Sequence, residues 1–247
     1  MARRGFHEAG EKRRRFYKTV EVRAVLKESG EGGFEVALDG RSPRSTHGAK
    51  LVLPNAALAD LCAEEWAAQG EHIQLAVMHA TRLAYTAIEA IPGARDAVAE
   101  EVADYAGSDL LCYFAEAPDA LVQRQIEHWG PVLDRAEQEI AVAFVRAVGL
   151  RHQAQPQETL ARVKVLALEG GDFALAGLAF GAPLFGSAIL ALALQRAWLT
   201  GEQALELSRL DEAYQQEKWG IDEEAAERTA RLFVEARMLE RWFRALD

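Results

Sequence analysis

Val20-Glu21-Val22-Arg23-Ala24-Val25-Leu26, followed beyond Gly30-Glu31-Gly32-Gly33 by Phe34-Glu35-Val36-Ala37-Leu38-Asp39-Gly40, is the stretch that decides the fold. Val20, Val22, Ala24 and Leu26 alternate with other positions, as do Phe34, Val36 and Leu38. That period of two belongs to half-buried strands. The glycine-rich run predicts a hairpin loop and Asp39-Gly40 a second turn. Leu51-Val52-Leu53 is a short run stopped by Pro54. Asn55 then stands where a helix N-cap belongs, and Leu58, Leu61, Cys62 and Trp66 form a helical stripe. The spacing predicts further helices over 79–88 and 94–106. Leu110-Leu111-Cys112-Tyr113-Phe114 is continuously apolar and reads as a buried strand returning to the first sheet, although periodicity alone leaves a helix open.

Beyond Ala117-Pro118-Asp119 helical periodicity takes over. Leu133, Ile140, Phe144 and Val148 line one predicted helix ending at Gly149, and 151–157 is a polar loop. Further helices are predicted over 158–168, 172–180, 187–199, 201–219 and 222–246. Strands first and a run of helices afterwards indicate an α+β fold rather than alternating βαβ units. The expected organisation is an N-terminal domain over 1–116, an antiparallel β-sheet with helices whose first fifteen residues form a basic tail. An all-α orthogonal helical bundle over 117–247 completes it.

Composition narrows the function. The chain has 247 residues, half of them apolar, and a formal net charge of −10. An acidic balance argues against nucleic acid, which demands a concentrated positive field. Arg3, Arg4, Lys12, Arg13, Arg14, Arg15 and Lys18 cluster at the start and read as a solvated tail rather than a lipid or RNA tether. Cys62 and Cys112 lie far apart in apolar surroundings, as buried reduced thiols of a cytosolic protein would. No secretory apolar region succeeds the basic start, so the chain reads as complete, bacterial and cytoplasmic. Residues 173–194 carry no charge, which by length alone suggests a membrane span. Gly181-Ala182-Pro183 interrupts them and Ala and Gly dominate, so two short central helices fit better.

Catalytic groups do not converge in the sequence. The six histidines are scattered, without zinc-ligand spacing. Ser187, in Phe185-Gly186-Ser187-Ala188-Ile189, has half of a nucleophile-elbow pattern and comes after no strand. Asp104 and Asp109 flank Tyr105 as a possible acid–base pair, yet Asp109 beside an apolar run more simply satisfies backbone donors. Trp66 falls on the core stripe of its helix. No catalytic, cofactor or metal-binding residue is expected.

The stretch from Ser208 to Glu224 is different: helix-forming, highly polar, and carrying Leu210, Tyr214 and Trp219 among acids and amides. Asp211, Gln215 and Trp219 recur every fourth residue and share one helix face, with Glu212 and Gln216 in the next row. Gly220 ends or kinks this helix, and Ile221-Asp222 opens another with an acidic first turn. Amides and an indole suit recognition of another protein, and packing between helices is an equal alternative.

With these residues the chain resembles the ATP12 family, assembly chaperones of the F1 part of ATP synthase. The resemblance runs from about Phe16 to the end. Its blocks are Arg15-Phe16-Tyr17-Lys18, Leu38-Asp39-Gly40-Arg41, Leu53-Pro54 with Glu65-Trp66-x-x-Gln69-Gly70, and Met78-x-x-Thr81-Arg82-Leu83. Further on come Ser108-Asp109-Leu110-Leu111-Cys112-Tyr113, Gln125-x-x-x-Trp129-x-Pro131 and Asp211-Glu212-x-x-Gln215-x-x-x-Trp219-Gly220-x-Asp222-x-Glu224. His79 departs from the family's usual proline, Ser45-Thr46-His47 from its Thr-Pro, and Phe114-Ala115 from its arginine. The resemblance implies a protein that binds the free F1 α subunit until a β subunit replaces it. Catalysis, cofactor and stable membrane insertion are not implied, and a monomer is expected. It points to Asp211, Glu212, Gln215, Glu217, Trp219, Asp222 and Glu224 as partner-binding, with Glu212 and Glu217 foremost. The readings from other classes are a hydrolase whose Asp104, Asp109 and Glu212 meet only in the fold, and a membrane-associated scaffold using 173–194.

Overall fold

The computed structural model describes residues 13–26, 32–149, 151–220 and 223–247. Most of the basic tail, the Gly30-Glu31 part of the hairpin loop, and Asp222 lie outside them. The fold is α+β. The chain divides into two compact units, Met1–Arg82 and Leu83–Asp247, a different cut from the one expected after residue 116.

In the first unit, β1 (Val20–Leu26), β2 (Gly32–Leu38) and β3 (Val52–Leu53) form an antiparallel sheet in that order. Val22 stands opposite Val36, Ala24 opposite Phe34, and Phe34 opposite Leu53. The central strand carries the core, with Val36 and Leu38 buried, whereas Leu26 on the edge strand is exposed. Asp39 and Gly40 both adopt positive φ, 47° and 80°, closing a tight turn between Leu38 and Arg41. The Asp39 carboxylate accepts the Thr19 and Lys18 N–H groups. Those bonds, Thr19 first, hold its carboxyl below the usual carboxylate range.

α1 (Ala56–Ala67) starts at Asn55, whose side chain accepts from Leu58 N at 2.9 Å. Its buried face is the expected stripe of Leu58, Leu61, Cys62 and Trp66, laid on the sheet. Two polar side chains at the C-terminal end of α1 organise the passage into the next helix. The Glu65 carboxylate accepts from Ala80 N and Thr81 N, both at 2.8 Å, and so caps the start of α2 (His79–Glu89). Gln69, nearly buried, accepts from Gln74 N at 2.7 Å and donates to the Glu65 carbonyl at 3.0 Å. Tyr17 closes over the same end of α1, giving its hydroxyl proton to the Trp66 carbonyl at 2.7 Å and setting its ring edgewise on the indole.

The second unit is almost wholly helical: α3 (Arg95–Gly107), α4 (Asp119–Ile140), α5 (Gln157–Glu169), α6 (Gly171–Phe185), α7 (Ala188–Gln195), α8 (Gly201–Ser208), α9 (Leu210–Trp219) and α10 (Glu223–Arg244). Leu110–Phe114 does not return to the first sheet. Leu110–Cys112 form one 3-10 turn, and Tyr113–Phe114 become β4, paired in parallel with β5 (Ala147–Val148). The run is short and wholly apolar, so its pattern could not tell a sheet partner from a helical neighbour. α4 stops at Ile140, nine residues before the expected end, because Ala141 takes a left-handed cap at φ 55°. The extended chain beyond it is held by Gln155, whose amide donates to and accepts from the Val145 backbone like a strand partner.

Residues 173–194 form two helices, as expected, but the break lies at Gly186 (φ 62°) and Ser187 rather than at 181–183. Pro183 is carried inside α6. Ser187 is the N-cap of α7, its hydroxyl accepting from Leu190 N at 3.0 Å. Among the described residues no helix is long and apolar enough to cross a membrane. Every residue from Ala188 to Leu194 is buried, with α3, α4, α6, α8 and α10 packed around α7. The small residues allow close approach: a Cβ at Gly177 would stand 2.7 Å from the Phe243 ring, and one at Gly201 would stand 2.2 Å from the Ala236 carbonyl oxygen. The helix expected over 201–219 is two, interrupted at Arg209, so that α9 leaves α8 and lies against α4.

Candidate functional site

Two helices of the second unit build the site. α4 is amphipathic and presents Leu121, Gln125, Trp129 and Val132 from its buried face. Trp129 donates its indole N–H to the Leu207 carbonyl at 3.0 Å and meets Phe114 edge to face. Gln125, one turn earlier, is fully buried and bridges two elements. Its amide oxygen accepts from Ala115 N at 2.7 Å and its amide nitrogen donates to Asp211 Oδ1 at 2.7 Å. The first turn of α9 is thereby fastened to α4 through a carboxylate that also suits the positive end of the helix dipole.

Arg124, beside Gln125, fastens the other end of α9. Its guanidinium donates to both Glu217 oxygens, at 2.7 and 2.9 Å, and lies over the Tyr214 ring at 5.2 Å. These hydrogen bonds hold the Glu217 carboxyl below its ordinary range and raise Arg124. Tyr214 is buried beneath Arg124, and the Lys218 amine lies 5.5 Å from its centre on the same ring.

The residues singled out from the sequence therefore divide. Asp211 and Glu217 are engaged with α4. Glu212 is exposed and pairs within its own segment with Arg209, at 3.8 Å. Gln215 is exposed, and Trp219 presents 81% of its surface at the helix end. Asp211 and Trp219 were expected to share a face, yet the first is turned to α4 and the second to solvent. Glu224 is exposed in the first turn of α10, and Asp222 lies outside the described residues. Arg124, Gln125 and Trp129 were not singled out as functional. A polar residue four positions before a tryptophan on an amphipathic helix is the signal that could have found Gln125.

Of the three carboxylates considered for hydrolysis, Glu212 and Asp109 have other partners. Asp109 is wholly buried and accepts from Leu111 N at 3.2 Å, the local backbone role expected for it, and also from Ile189 N, eighty positions away in the first turn of α7, at 3.0 Å. Burial pushes its carboxyl up to about 6. Asp104 is exposed on α3. No group of three metal-ligating side chains exists among the described residues. Cys62 and Cys112 are free buried thiols whose pKa is raised by desolvation, which leaves them unreactive.

Residues 14–137 match the family model described as ATP12 chaperone protein. The crystal structure of Atu1473, a candidate chaperone from Agrobacterium tumefaciens, superposes with a TM-score of 0.88 at 42% identity, over 95% of this chain and 86% of that one. Atp12 from Paracoccus denitrificans superposes with a TM-score of 0.86 at 38% identity, over 96% of this chain and 99% of that one, and an aspartate-to-lysine variant of it gives the same values.

Proposed function

The chain belongs to the ATP12 chaperone family, and we propose that it assists assembly of the F1 sector of ATP synthase by holding the free α subunit until a β subunit displaces it. It acts by binding and transforms nothing. The bacterial cytoplasm is its place of work and the monomer its working form. The partner-binding surface in this reading comprises Asp211, Glu212, Gln215, Glu217, Trp219, Asp222 and Glu224.

The observation that supports this reading is the two-sidedness of α9. Gln125 and Arg124 bind its inner side, while Glu212, Gln215 and Trp219 face outward. An unassembled subunit exposes a surface built for its neighbour, which self-associates if left uncovered. A polar, acidic cover with one large aromatic speeds capture by electrostatic steering, and its small apolar area keeps release accessible. Within it Asp211 and Glu217 shape the surface, and Glu212 and Trp219 meet the partner.

Co-expression with affinity-tagged F1 α, with F1 β as the control, tests the reading. Retention of this chain on α and not on β is expected. Equal retention on both, or on neither, would remove the α subunit as partner.

A further inference from the structure

Beside α9 lies an open trough of about 500 Å3, walled by α4, the residue before Thr200, α8 and α9 itself. Its surface is largely apolar, from Pro131, Val132, Leu199, Leu207, Leu210 and Ala213. Of its polar side chains, Glu127, His128, Gln203 and Glu206 are exposed and Arg124 is half-buried. A small-molecule site carries a few convergent polar groups inside to fix its ligand. This trough has a buried apolar floor, Val132 and Leu210, beneath exposed polar and apolar side chains, the arrangement of a groove that receives a side chain from another polypeptide.

The charge at the mouth decides which side chains. Neither Glu127 nor Glu206 meets a cation among the described residues, and Glu127 accepts only the Gln123 amide at 2.8 Å. Of the two bases at the mouth, Arg124 is already held by both oxygens of Glu217, which leaves His128. The mouth is thus rich in negative charge around an apolar floor.

We propose that this trough seats a segment of the captured polypeptide in which a large apolar side chain stands beside a lysine or arginine. The proposal rests on the reading of the chain as an α-subunit chaperone and gives that reading its anchor point, in a trough to which α9 itself contributes Leu210 and Ala213. The apolar side chain enters between Leu207, Leu210 and Val132, and the neighbouring cation meets Glu127 or Glu206 at the rim.

The test uses the full chain co-expressed with tagged F1 α, with photoreactive benzoylphenylalanine replacing Ala213 in the trough or Val165, exposed on α5, as the remote site. Co-purification of the unsubstituted chain reports the functional reading, and the crosslink reports the trough. The expected product is a crosslink to α from position 213 and none from 165, mapping to a peptide with an apolar residue next to Lys or Arg. A double variant, Glu127→Lys with Glu206→Lys, changes only exposed side chains and is expected to weaken capture by about tenfold or more at an unchanged melting temperature. Co-purification without a crosslink from 213, or a crosslink to a second copy of this chain or to lipid, overturns the trough and leaves the reading standing. Unchanged capture by the double variant overturns the basic half of the segment. An unsubstituted chain that fails to retain α overturns the reading and the trough together.

Discussion

Gln125 and Asp211, eighty-six positions apart, are joined by a 2.7 Å hydrogen bond from a side chain with no exposure at all. The amide is spent at both ends, since its oxygen takes the Ala115 N–H. A buried amide with both ends matched locks geometry, and deleting it leaves its partners unsatisfied. α9 owes its seat on α4 to this bond and to the Arg124–Glu217 pair.

Gln125→Ala is therefore expected to destabilise the second unit by about 1–3 kcal/mol and to loosen α9 before anything else. Hydrogen exchange should show α9 amides losing protection while α6 and α7 keep theirs. Uniform loss across the unit would mean that Gln125 serves the core and not the seat of α9.

Asp109 makes stability depend on mild acid. Burial raises its carboxyl from an ordinary 3.8 to about 6 in the folded chain. Between those values the folded state holds a proton that the unfolded state has released, so this group's contribution falls as pH rises through the window. The scale is on the order of 3 kcal/mol from about pH 4 to above pH 6. Asn at this position cannot titrate. Urea unfolding at pH 4.5 and 7.5 should show wild type gaining on Asp109→Asn as pH falls. A gap between the two proteins that stays constant with pH would exclude titration of Asp109 in this range.

Much of this architecture was legible beforehand because its signals are local. Alternation marked β1 and β2, Asn55 marked the start of α1, and the stripe through Trp66 marked its buried face. The errors came where tertiary contacts overrode the local pattern. Leu110–Phe114 is apolar enough for either sheet or helix, and its partner β5 is a two-residue strand that no pattern announces. Val142, Phe144 and Val148 continue the rhythm of α4, but Ala141 caps it, and Gln155 and Thr159 hold the extended backbone through side chains ten or more residues away. For the candidate site, helical spacing identified a polar helix and could not say which face was inward. That depends on Arg124 and Gln125, nearly ninety residues earlier in the chain.

Glu212 and Asp211 are neighbours with opposite expected behaviour. Glu212 is exposed with one long ion pair to Arg209, a contact of the kind that contributes about 0–1 kcal/mol. Glu212→Lys should leave the melting temperature within a few degrees of wild type while weakening α-subunit capture about tenfold or more, as loss of an interface charge does. Asp211→Ala should lower thermal stability as well, because Gln125 is left with an unmatched amide. Calorimetry paired with a pull-down separates the two. Equal thermal losses would show Glu212 to be structural.

Gly201 tests the packing on which the second unit is built. It opens α8 under a capping box of Thr200 and Gln203, and its N–H goes to Glu240 Oε2 at 2.7 Å. A methyl group there would stand 2.2 Å from the Ala236 carbonyl oxygen, and that neighbour is backbone of α10, which cannot swing aside as a side chain would. Gly201→Ala gains a little helix propensity, but the overlap forces α8 and α10 apart, at a cost of about 1–3 kcal/mol. For a chain of this size that is a fall of roughly 2–12 °C in melting temperature. Gly130→Ala is the matched control, since a Cβ at that helical position meets nothing within 4 Å. Its stability should hold or rise. If Gly201→Ala also holds, α8 and α10 are not packed backbone to backbone at this point.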